Sequence, residues 1–409
     1  MMTKQIILVF TLSILLFSCS KETEPRKREY PAIQTLSVDS INPLGATFTG
    51  EVLNTGYKHI IEYGFVYYPT GSPLKYMYDT SSVHRAILSK GYFSQQIDQF
   101  LSKNITYNVK AYVKTSIYTV YGPSVEFTSE GCRWFPWDLI AQPKIIGYNN
   151  VFAVSNSQYA FILMTSKEFY SFDPFSETFT KVRDYPGNTL YKAASFIIDN
   201  EIYIINKGSQ DFYKYDISKN TWTKLASLPF IPEDNNFVAF VINDAGYYLS
   251  NNSFYKYDPY SENWIKKTNV PSTLDIQNSE VMNKNAYIFT NSKSILKYSQ
   301  EDDNWQVETN YPGDLNQDIV SFATDKSLYY GLSYSDIITE KQASSEFWQY
   351  SLESKKWRIV QSLPYIHSKD HVFSFSVRNY GYLGYATSYN YGNREYNIWK
   401  FSEDKLLKN

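Results

Sequence analysis

The stretch FYKYDISKNTWTKLASLP, residues 212–229, indicates most clearly how this chain folds. It places Tyr215 seven residues before Trp222, and Trp222 seven residues before Pro229. Four other units keep both intervals; they are Phe172, Phe179 and Pro186; Tyr257, Trp264 and Pro271; Tyr298, Trp305 and Pro312; and Tyr350, Trp357 and Pro364. Similarity at a regular period is typical of architectures that stack one structural unit many times. We therefore expect residues 131–409 to form a repeat domain.

Each unit is predicted to contain four short strands. Residues 212–216 and 221–225 form the third and fourth strands, and their aromatic side chains are expected to meet across the pair. Proline has no N–H for a ladder, so Pro229 is expected to end the fourth strand. The apolar runs 195–198 and 202–205, joined by a tight turn, are the first two strands. Four antiparallel strands per unit predict an all-β fold, a β-propeller built of blades.

The sequence of aromatic, turn, tryptophan and proline resembles kelch repeats, the units of galactose oxidase-like propellers. It differs from WD repeats, whose Trp-Asp and Gly-His signatures we do not find. Kelch units usually carry Gly-Gly after the second strand, where this chain has Asn206-Lys207-Gly208, so the units are degenerate. The resemblance implies a six-bladed propeller over residues 131–409. A sixth unit ends at its third strand, residues 398–401, and we expect residues 134–139 to supply its fourth strand and close the ring.

An earlier segment, residues 31–129, has the pattern of a small sandwich. Polar and apolar residues alternate over residues 46–52, 61–67 and 107–113, as in half-buried antiparallel strands of an immunoglobulin-like domain. Residues 101–111 resemble the start of strand F in fibronectin type III domains, which makes Tyr107 the tyrosine corner and residues 125–128 the last strand. We expect this domain to be a spacer; a second binding module is the alternative.

The first thirty residues predict export and lipidation. Lys4 precedes an apolar run over residues 6–17, which is shorter than the about 20 residues of a membrane-spanning helix, so residues 1–18 are predicted to be a signal peptide. Leu16-Phe17-Ser18-Cys19 resembles the lipobox of bacterial lipoproteins and implies a lipid on Cys19; ordinary cleavage near Ser18 is the alternative. The charged residues 19–30 form a flexible tether.

The location of the protein follows from that anchor. Residues 20–24, Ser-Lys-Glu-Thr-Glu, resemble the signal that sends lipoproteins to the cell surface in one Gram-negative group. We expect an outer-membrane lipoprotein that is exposed at the surface, with a periplasm-facing protein as the alternative. The net charge of −2 gives no support for a nucleic-acid partner. With Cys19 lipidated, the second cysteine, Cys132, is expected to be a buried and inert thiol.

A candidate ligand site lies on the face formed by the loops between second and third strands and between blades. The extra length of the last two units falls in these loops, and loops on a rigid scaffold often carry function. The candidate residues are Tyr334, Asp336, His367, Lys369, Asp370, His371, Tyr389, Tyr391, Arg394 and Tyr396. Tyrosine faces and guanidinium forks suit stacking on, and hydrogen bonding to, a glycan or a peptide.

Catalytic chemistry has less support in the sequence. Copper radical oxidases of the kelch-like group need paired histidines and a tyrosine cross-linked to cysteine, whereas Cys132 lies outside the blades. His367 and His371 could begin a zinc site, but no third ligand is evident in the sequence. Kelch sugar mutarotases suggest proton transfer by an acidic loop residue, for which the candidates are Glu233, Asp234, Asp318 and Asp370. We expect no cofactor, no metal and no catalytic residue. The hypothesis is a lipid-anchored binding protein for glycan or protein; the alternatives are a sugar-modifying enzyme, such as a mutarotase or isomerase, and a structural envelope scaffold.

Overall fold

The computed structural model describes twelve segments of the chain. They are residues 29–70, 81–84, 89–141, 144–146, 151–233, 236–251, 253–267, 275–313, 319–332, 347–360, 372–386 and 393–406. The predicted signal peptide, Cys19 and most of the tether lie outside them. The regular structure of these segments is all β, apart from one 3-10 turn at Glu403–Lys405. No helix in the described segments is long and apolar enough to cross a membrane.

The chain divides into two compact units. The first takes the residues up to Asp39 together with Thr47–Gln96 and Tyr107–Phe127, and the second takes Ser40–Ala46, Ile97–Thr106 and Thr128–Asn409. Eight strands fall in and around the first unit: β1 Ala32–Asn42, β2 Gly45–Asn54, β3 Glu62–Pro69, β4 Ser81–His84, β5 Gly91–Ile97, β6 Thr106–Lys114, β7 Thr119–Tyr121 and β8 Val125–Thr128. One sheet has the order β1-β2-β5, and the other has the order β4-β3-β6-β7 with β8 beside β6.

The core of the first unit is aromatic. Phe48 is fully buried and packs edge-on against Phe65, Tyr67 and Phe127, with ring centroids 5.4–5.6 Å apart. Tyr107 is buried and stacks on Phe127 at 5.9 Å. The alternating residues 46–52, 61–67 and 107–113 lie within or next to β2, β3 and β6, so the predicted strands are confirmed. Their inward side chains bring the two sheets together.

The second unit begins with β9 Trp137–Ala141 and β10 Lys144–Ile146 and continues as successive antiparallel sheets. Sheet 1 contains β11 Val151–Ser155, β12 Ala160–Met164, β13 Phe169–Asp173 and β14 Thr178–Lys181. Sheet 2 contains β15 Ala193–Ile198, β16 Glu201–Asn206, β17 Phe212–Asp216 and β18 Thr221–Lys224. Sheet 3 contains β19 Phe237–Ile242, β20 Ala245–Ser250, β21 Phe254–Asp258 and β22 Asn263–Lys267.

Three more sheets follow in the described segments. Sheet 4 contains β23 Ile276–Met282, β24 Asn285–Thr290, β25 Ser294–Ser299 and β26 Asn304–Asn310. Sheet 5 contains β27 Val320–Ala323, β28 Ser327–Gly331, β29 Phe347–Ser351 and β30 Lys356–Val360. Sheet 6 contains β31 Phe373–Val377, β32 Tyr380–Ala386 and β33 Asn393–Phe401, with β9 and β10 paired to β33. Repeated four-stranded antiparallel sheets of this kind are the arrangement of a β-propeller.

The first strands of the sheets lie beside one another. β11, β15, β19, β23, β27 and β31 are each adjacent to the first strand of the next sheet, and β31 is adjacent to β11. We call them the inner strands, because their sequence of contacts closes on itself. Aromatic and aliphatic side chains fill the spaces between consecutive sheets, as between sheets 2 and 3.

The aromatic repeat is confirmed by strand register. In every unit the paired aromatics stand directly opposite each other on the third and fourth strands, as Tyr215 does with Trp222. Their ring centroids are 4.8–5.0 Å apart in all five units. Cross-strand aromatic pairs stabilise a sheet beyond the area that they bury. The seven-residue interval therefore encodes a hairpin.

The predicted role of the prolines is confirmed in part, because the regular fourth strands end earlier but backbone hydrogen bonds continue up to the residue before each described proline. β18 ends at Lys224, well before Pro229, and β26 ends at Asn310 before Pro312. The chain leaves the regular ladder earlier but keeps single bonds to the third strand, such as Leu225 N–H to the Phe212 carbonyl at 2.9 Å. The last of these bonds comes from the residue before each described proline, where Tyr185, Leu228 and Tyr311 donate to the Lys167, Gln210 and Lys293 carbonyls at 2.8–2.9 Å. The proline therefore marks the point where this pairing stops, as its missing N–H requires.

The prediction that an N-terminal segment pairs with the last strand is confirmed, although the strand is Trp137–Ala141 and not residues 134–139. β9 pairs antiparallel with β33, with Trp137 opposite Phe401 and Leu139 opposite Trp399. Trp137 is fully buried, and its ring lies 4.9 Å from that of Phe401. Segment Ile97–Thr106 supports β9 from outside, since Asn104 Nδ2 donates to the Leu139 carbonyl at 3.1 Å and the Ser102 hydroxyl donates to the Trp137 carbonyl.

Candidate functional site

Most of the predicted ligand residues lie outside the described segments. This applies to Tyr334, Asp336, His367, Lys369, Asp370, His371, Tyr389 and Tyr391. Arg394 is described by its backbone alone, which stands opposite Ile145 where β33 pairs with β10. Among the acidic candidates for proton transfer, Glu233 is exposed, while Asp234, Asp318 and Asp370 are also outside. No group of three or more His, Cys, Asp or Glu side chains in the described segments is placed to hold a metal ion.

Tyr396 requires a correction. It stands on β33 opposite Ala386, its side chain is fully buried, and its ring lies 6.0 Å from that of Phe373. It belongs to the hydrophobic cluster that joins sheets 6 and 1. A ring enclosed in this way has no face to offer to a ligand, so Tyr396 is not part of the candidate site.

The prediction that the Cys132 thiol is buried is confirmed. The side chain is buried, and the Leu101 N–H donates to its sulfur at 3.3 Å. Burial raises the pKa of the Cys132 thiol to about 11, although the hydrogen bond from Leu101 opposes the shift. The group is therefore a neutral thiol at physiological pH, and neutral thiols are poor nucleophiles.

A second repeated pair fills the hairpins between first and second strands. In four sheets a phenylalanine on the inner strand stands opposite a tyrosine on the second strand, and the two rings stack. The pairs are Phe196 with Tyr203, Phe240 with Tyr247, Phe322 with Tyr329, and Phe375 with Tyr382. Their centroids are 5.0–5.3 Å apart and their planes nearly parallel. This pair is part of the packing between one sheet and the next.

Sheet 4 departs from that pattern. Glu280 stands opposite Tyr287, at the position where four of the other sheets have phenylalanine and sheet 1 has Val154. The Ser321 hydroxyl on β27 of sheet 5 donates to Glu280 Oε1 at 2.7 Å, so the carboxyl lies between the inner strands of sheets 4 and 5. The Glu280 side chain keeps partial solvent exposure. Burial raises the pKa of the Glu280 carboxyl to about 7, and the hydrogen bond from Ser321 works against that shift.

Other polar contacts continue along the inner strands near Glu280. Asn278 Nδ2 donates to the Ile319 carbonyl at 2.9 Å, and the Ser374 hydroxyl on β31 donates to the Ser321 carbonyl at 2.7 Å. Sheets 4, 5 and 6 are therefore joined at their inner strands by side-chain hydrogen bonds. We call Asn278, Glu280, Ser321 and Ser374 the inner polar wall.

A charged cavity of about 270 Å³ lies beside sheet 6, near the C-terminal turn. Its walls include two ion pairs, Lys400 with Glu177 at 2.8 Å and Lys405 with Asp138 at 2.6 Å. The Lys400 ammonium also lies 4.2 Å from the centre of the Tyr380 ring. Each of these charges is already paired within the protein, so the cavity presents a balanced surface.

The C-terminal turn carries a buried network that the sequence did not predict. The Glu403 carboxylate accepts hydrogen bonds from Thr324, Ser327 and Gln349 at 2.8–3.1 Å. Ser327 and Gln349 are buried in sheet 5. The turn is therefore held to sheet 5 by charge-assisted hydrogen bonds, which are stronger than neutral ones.

Glu280 could have been found from the sequence. Phenylalanine and tyrosine recur seven residues apart at 196 and 203, 240 and 247, 322 and 329, and 375 and 382, and Glu280 precedes Tyr287 by the same interval. An alignment of the six units on their first hairpin shows four phenylalanines, one valine (Val154) and one acidic residue at this position. The interval between the aromatic residue and the tryptophan belongs to the hairpin of the third and fourth strands. The distance between that hairpin and the first one varies from unit to unit, so this interval does not align Glu280 with the phenylalanines. Nothing comparable marks Glu403, which lies beyond the last strand.

Comparisons with known proteins support the fold. No protein family and no curated protein matches the sequence. Among solved structures, a β-propeller described as "Structure of YjhT" is similar at a TM-score of 0.50 and 14% identity, over 65% of this chain and 98% of that one. In all, 915 solved chains match, and a fold shared so widely does not select a function. The protein is an all-β chain whose repeated four-stranded sheets have a propeller-like fold.

Proposed function

We propose that the protein is a lipid-anchored, cell-surface binding protein. In this proposal a fibronectin type III-like sandwich carries a six-bladed kelch-type propeller, and the loops of sheets 5 and 6 bind a glycan or a protein. Support for the sandwich comes from its sheet orders, β1-β2-β5 and β4-β3-β6-β7. Support for six blades comes from the inner strands, whose neighbour contacts return from β31 to β11.

The observation that carries the binding proposal is where the long connections fall. Residues 332–346 join β28 to β29, whereas residues 251–253 join β20 to β21 and residues 291–293 join β24 to β25. Residues 387–392 join β32 to β33 in sheet 6, whose inner strand β31 is adjacent to β27 of sheet 5. Long insertions collected at one end of a rigid scaffold are where binding residues are commonly found.

Glycan-array and pull-down binding test this site directly. Binding by the full chain should disappear when Tyr389, Tyr391 and Arg394 are together replaced by alanine. Tyr260→Ala is the matched control, because that tyrosine is 87% exposed but belongs to the turn between β21 and β22, at the other end of its sheet. Binding that survives the triple substitution would contradict the proposed site.

The anchor and the location need separate experiments. Cys19→Ser should move the protein from the membrane fraction to the soluble fraction and abolish labelling by a fatty-acid probe. Proteinase added to intact cells should degrade the wild-type protein if it is displayed on the surface. Protection of the protein in intact cells, with degradation after lysis, would place it on the periplasmic side instead.

A further inference from the structure

The size of the side chain at the position of Glu280 is matched by the residue that faces it from the next sheet. Where the inner strand carries phenylalanine, the next sheet makes room: a side chain at Gly246 would collide with the Phe196 ring, and one at Gly381 with the Phe322 ring. Sheet 5 follows the sheet that contains Glu280. At the position where sheets 3 and 6 have Gly246 and Gly381, sheet 5 has Leu328, which is fully buried. The packing thus fits a side chain of intermediate size at position 280.

The charge at position 280 is not needed for that packing. A methionine or leucine would fill a similar volume without the cost of removing a carboxylate from water, which amounts to several kcal/mol for an uncompensated ion. Glu280 has no cationic partner among the described residues. Departures from packing rules of this kind are expected at functional positions.

The hydrogen bonds of the inner polar wall define what a ligand must supply. The Ser321 hydroxyl donates to Glu280, the Asn278 amide donates to the Ile319 carbonyl, and the Ser374 hydroxyl donates to the Ser321 carbonyl. The hydroxyl hydrogens of Ser321 and Ser374 and one amide hydrogen of Asn278 are therefore already engaged in hydrogen bonds. The capacity that remains is largely that of acceptors: the second carboxylate oxygen of Glu280, the side-chain carbonyl of Asn278 and lone pairs of the hydroxyls.

We infer that the inner polar wall binds a protonated amine, the ammonium group of a small ligand, with the Glu280 carboxylate as its counter-ion. An ammonium group has three donors and no acceptor, so it complements a wall rich in acceptors. Its positive charge also supplies the partner that Glu280 lacks among the described residues. This site is distinct from the loops of sheets 5 and 6, and it does not depend on their binding a glycan or a protein.

The site has a defined pH dependence. The titratable side chains on the second strands beside Glu280 and Ser321 are Tyr287 on β24 and Tyr330 on β28, and burial raises the pKa of both, that of Tyr287 to about 12. Neither ionises near neutral pH, so among the residues that the structure describes Glu280 is the group that sets the charge of the wall there. Because burial raises the pKa of its carboxyl to about 7, affinity for an ammonium ligand should increase about tenfold between about pH 6 and about pH 8.

Thermal unfolding of the full chain, with and without ethanolammonium chloride, tests the inference. Ethylene glycol is the matched neutral probe, and sodium chloride at equal ionic strength controls for screening. A ligand that binds only the folded state raises the melting temperature. We expect ethanolammonium to raise it at about pH 8 and much less at about pH 5.5, and we expect no effect from glycol or sodium.

Two substitutions make the result specific. Glu280→Gln keeps the shape of the side chain, so the variant should fold and lose the ammonium effect at every pH. Ser321→Ala keeps the charge but removes the donor that orients it, and should weaken binding about tenfold. A wild-type protein that ethanolammonium does not stabilise, or a Glu280→Gln variant that it stabilises equally, would overturn the inference.

Discussion

At the residue scale, the carboxyl at position 280 lowers the stability of the second unit at neutral pH. Its pKa is about 7 in the folded chain, above the ordinary value of 4.5. At a pH between 4.5 and about 7, the Glu280 carboxyl therefore keeps its proton in the folded state and has lost it in the unfolded state. Stability from this group is greatest below the ordinary pKa and falls as the pH rises toward 7.

Glu280→Gln should remove that dependence. Relative to wild type, the variant should gain about 3 kcal/mol of unfolding free energy at about pH 8 and gain little at about pH 4. Urea unfolding of both proteins at several pH values measures the difference. Glu233→Gln, which makes the same substitution at an exposed carboxyl, is the control. An equal effect of Glu280→Gln at both pH values would show that its carboxyl does not titrate in this range.

At the scale of elements, β9 joins the beginning of the second unit to its last sheet. Trp137 contacts Phe401 of sheet 6 and also Phe322 and Phe347 of sheet 5. Trp137→Ala should lower the unfolding free energy by about 3–5 kcal/mol, the usual cost of removing a large buried aromatic side chain. Trp134→Ala is the control, since Trp134 lies just before the strand and is only partly buried. Equal losses in the two variants would show that β9 has no special role.

The C-terminal turn gives a second prediction at this scale. Glu403→Ala removes an acceptor from Thr324, Ser327 and Gln349. Thr324 keeps the Ser327 carbonyl and Gln349 keeps two hydroxyls, so the main loss falls on the Ser327 hydroxyl, and a buried donor without a partner costs about 1–3 kcal/mol. We therefore expect a loss of about 1–3 kcal/mol in urea unfolding. Asp404→Ala changes the neighbouring exposed carboxylate and should have a small effect. A larger loss for Asp404→Ala would contradict the network.

At the scale of the whole molecule, the chain has two compact units, each with its own aromatic core. Units with separate cores commonly unfold as separate cooperative transitions. Calorimetry should therefore show two transitions, of which Phe48→Ala lowers one and Trp137→Ala lowers the other. A single transition that both variants lower equally would mean that the two units unfold together.

The amino-acid sequence alone was sufficient to predict the hairpins of the repeat, the all-β class and the strand that completes the last sheet. The hairpins depend on residues close in the chain, such as Tyr215 and Trp222, whose seven-residue interval places them opposite each other. A repeated interval can be read along the chain. Because the last unit lacks a fourth strand and would leave an open sheet edge, the same repeat also indicates that residues 134–139 pair with it.

Which side chains surround Glu280 and Glu403 depends instead on the folded structure. Ser321 lies 41 residues from Glu280, and Thr324 lies 79 residues from Glu403. The burial of Tyr396 and the support of β9 by segment Ile97–Thr106 likewise arise only on folding. The pKa of a carboxyl and the accessibility of a ring depend on how neighbouring sheets pack, and the intervals between residues along the chain carry no measure of that packing.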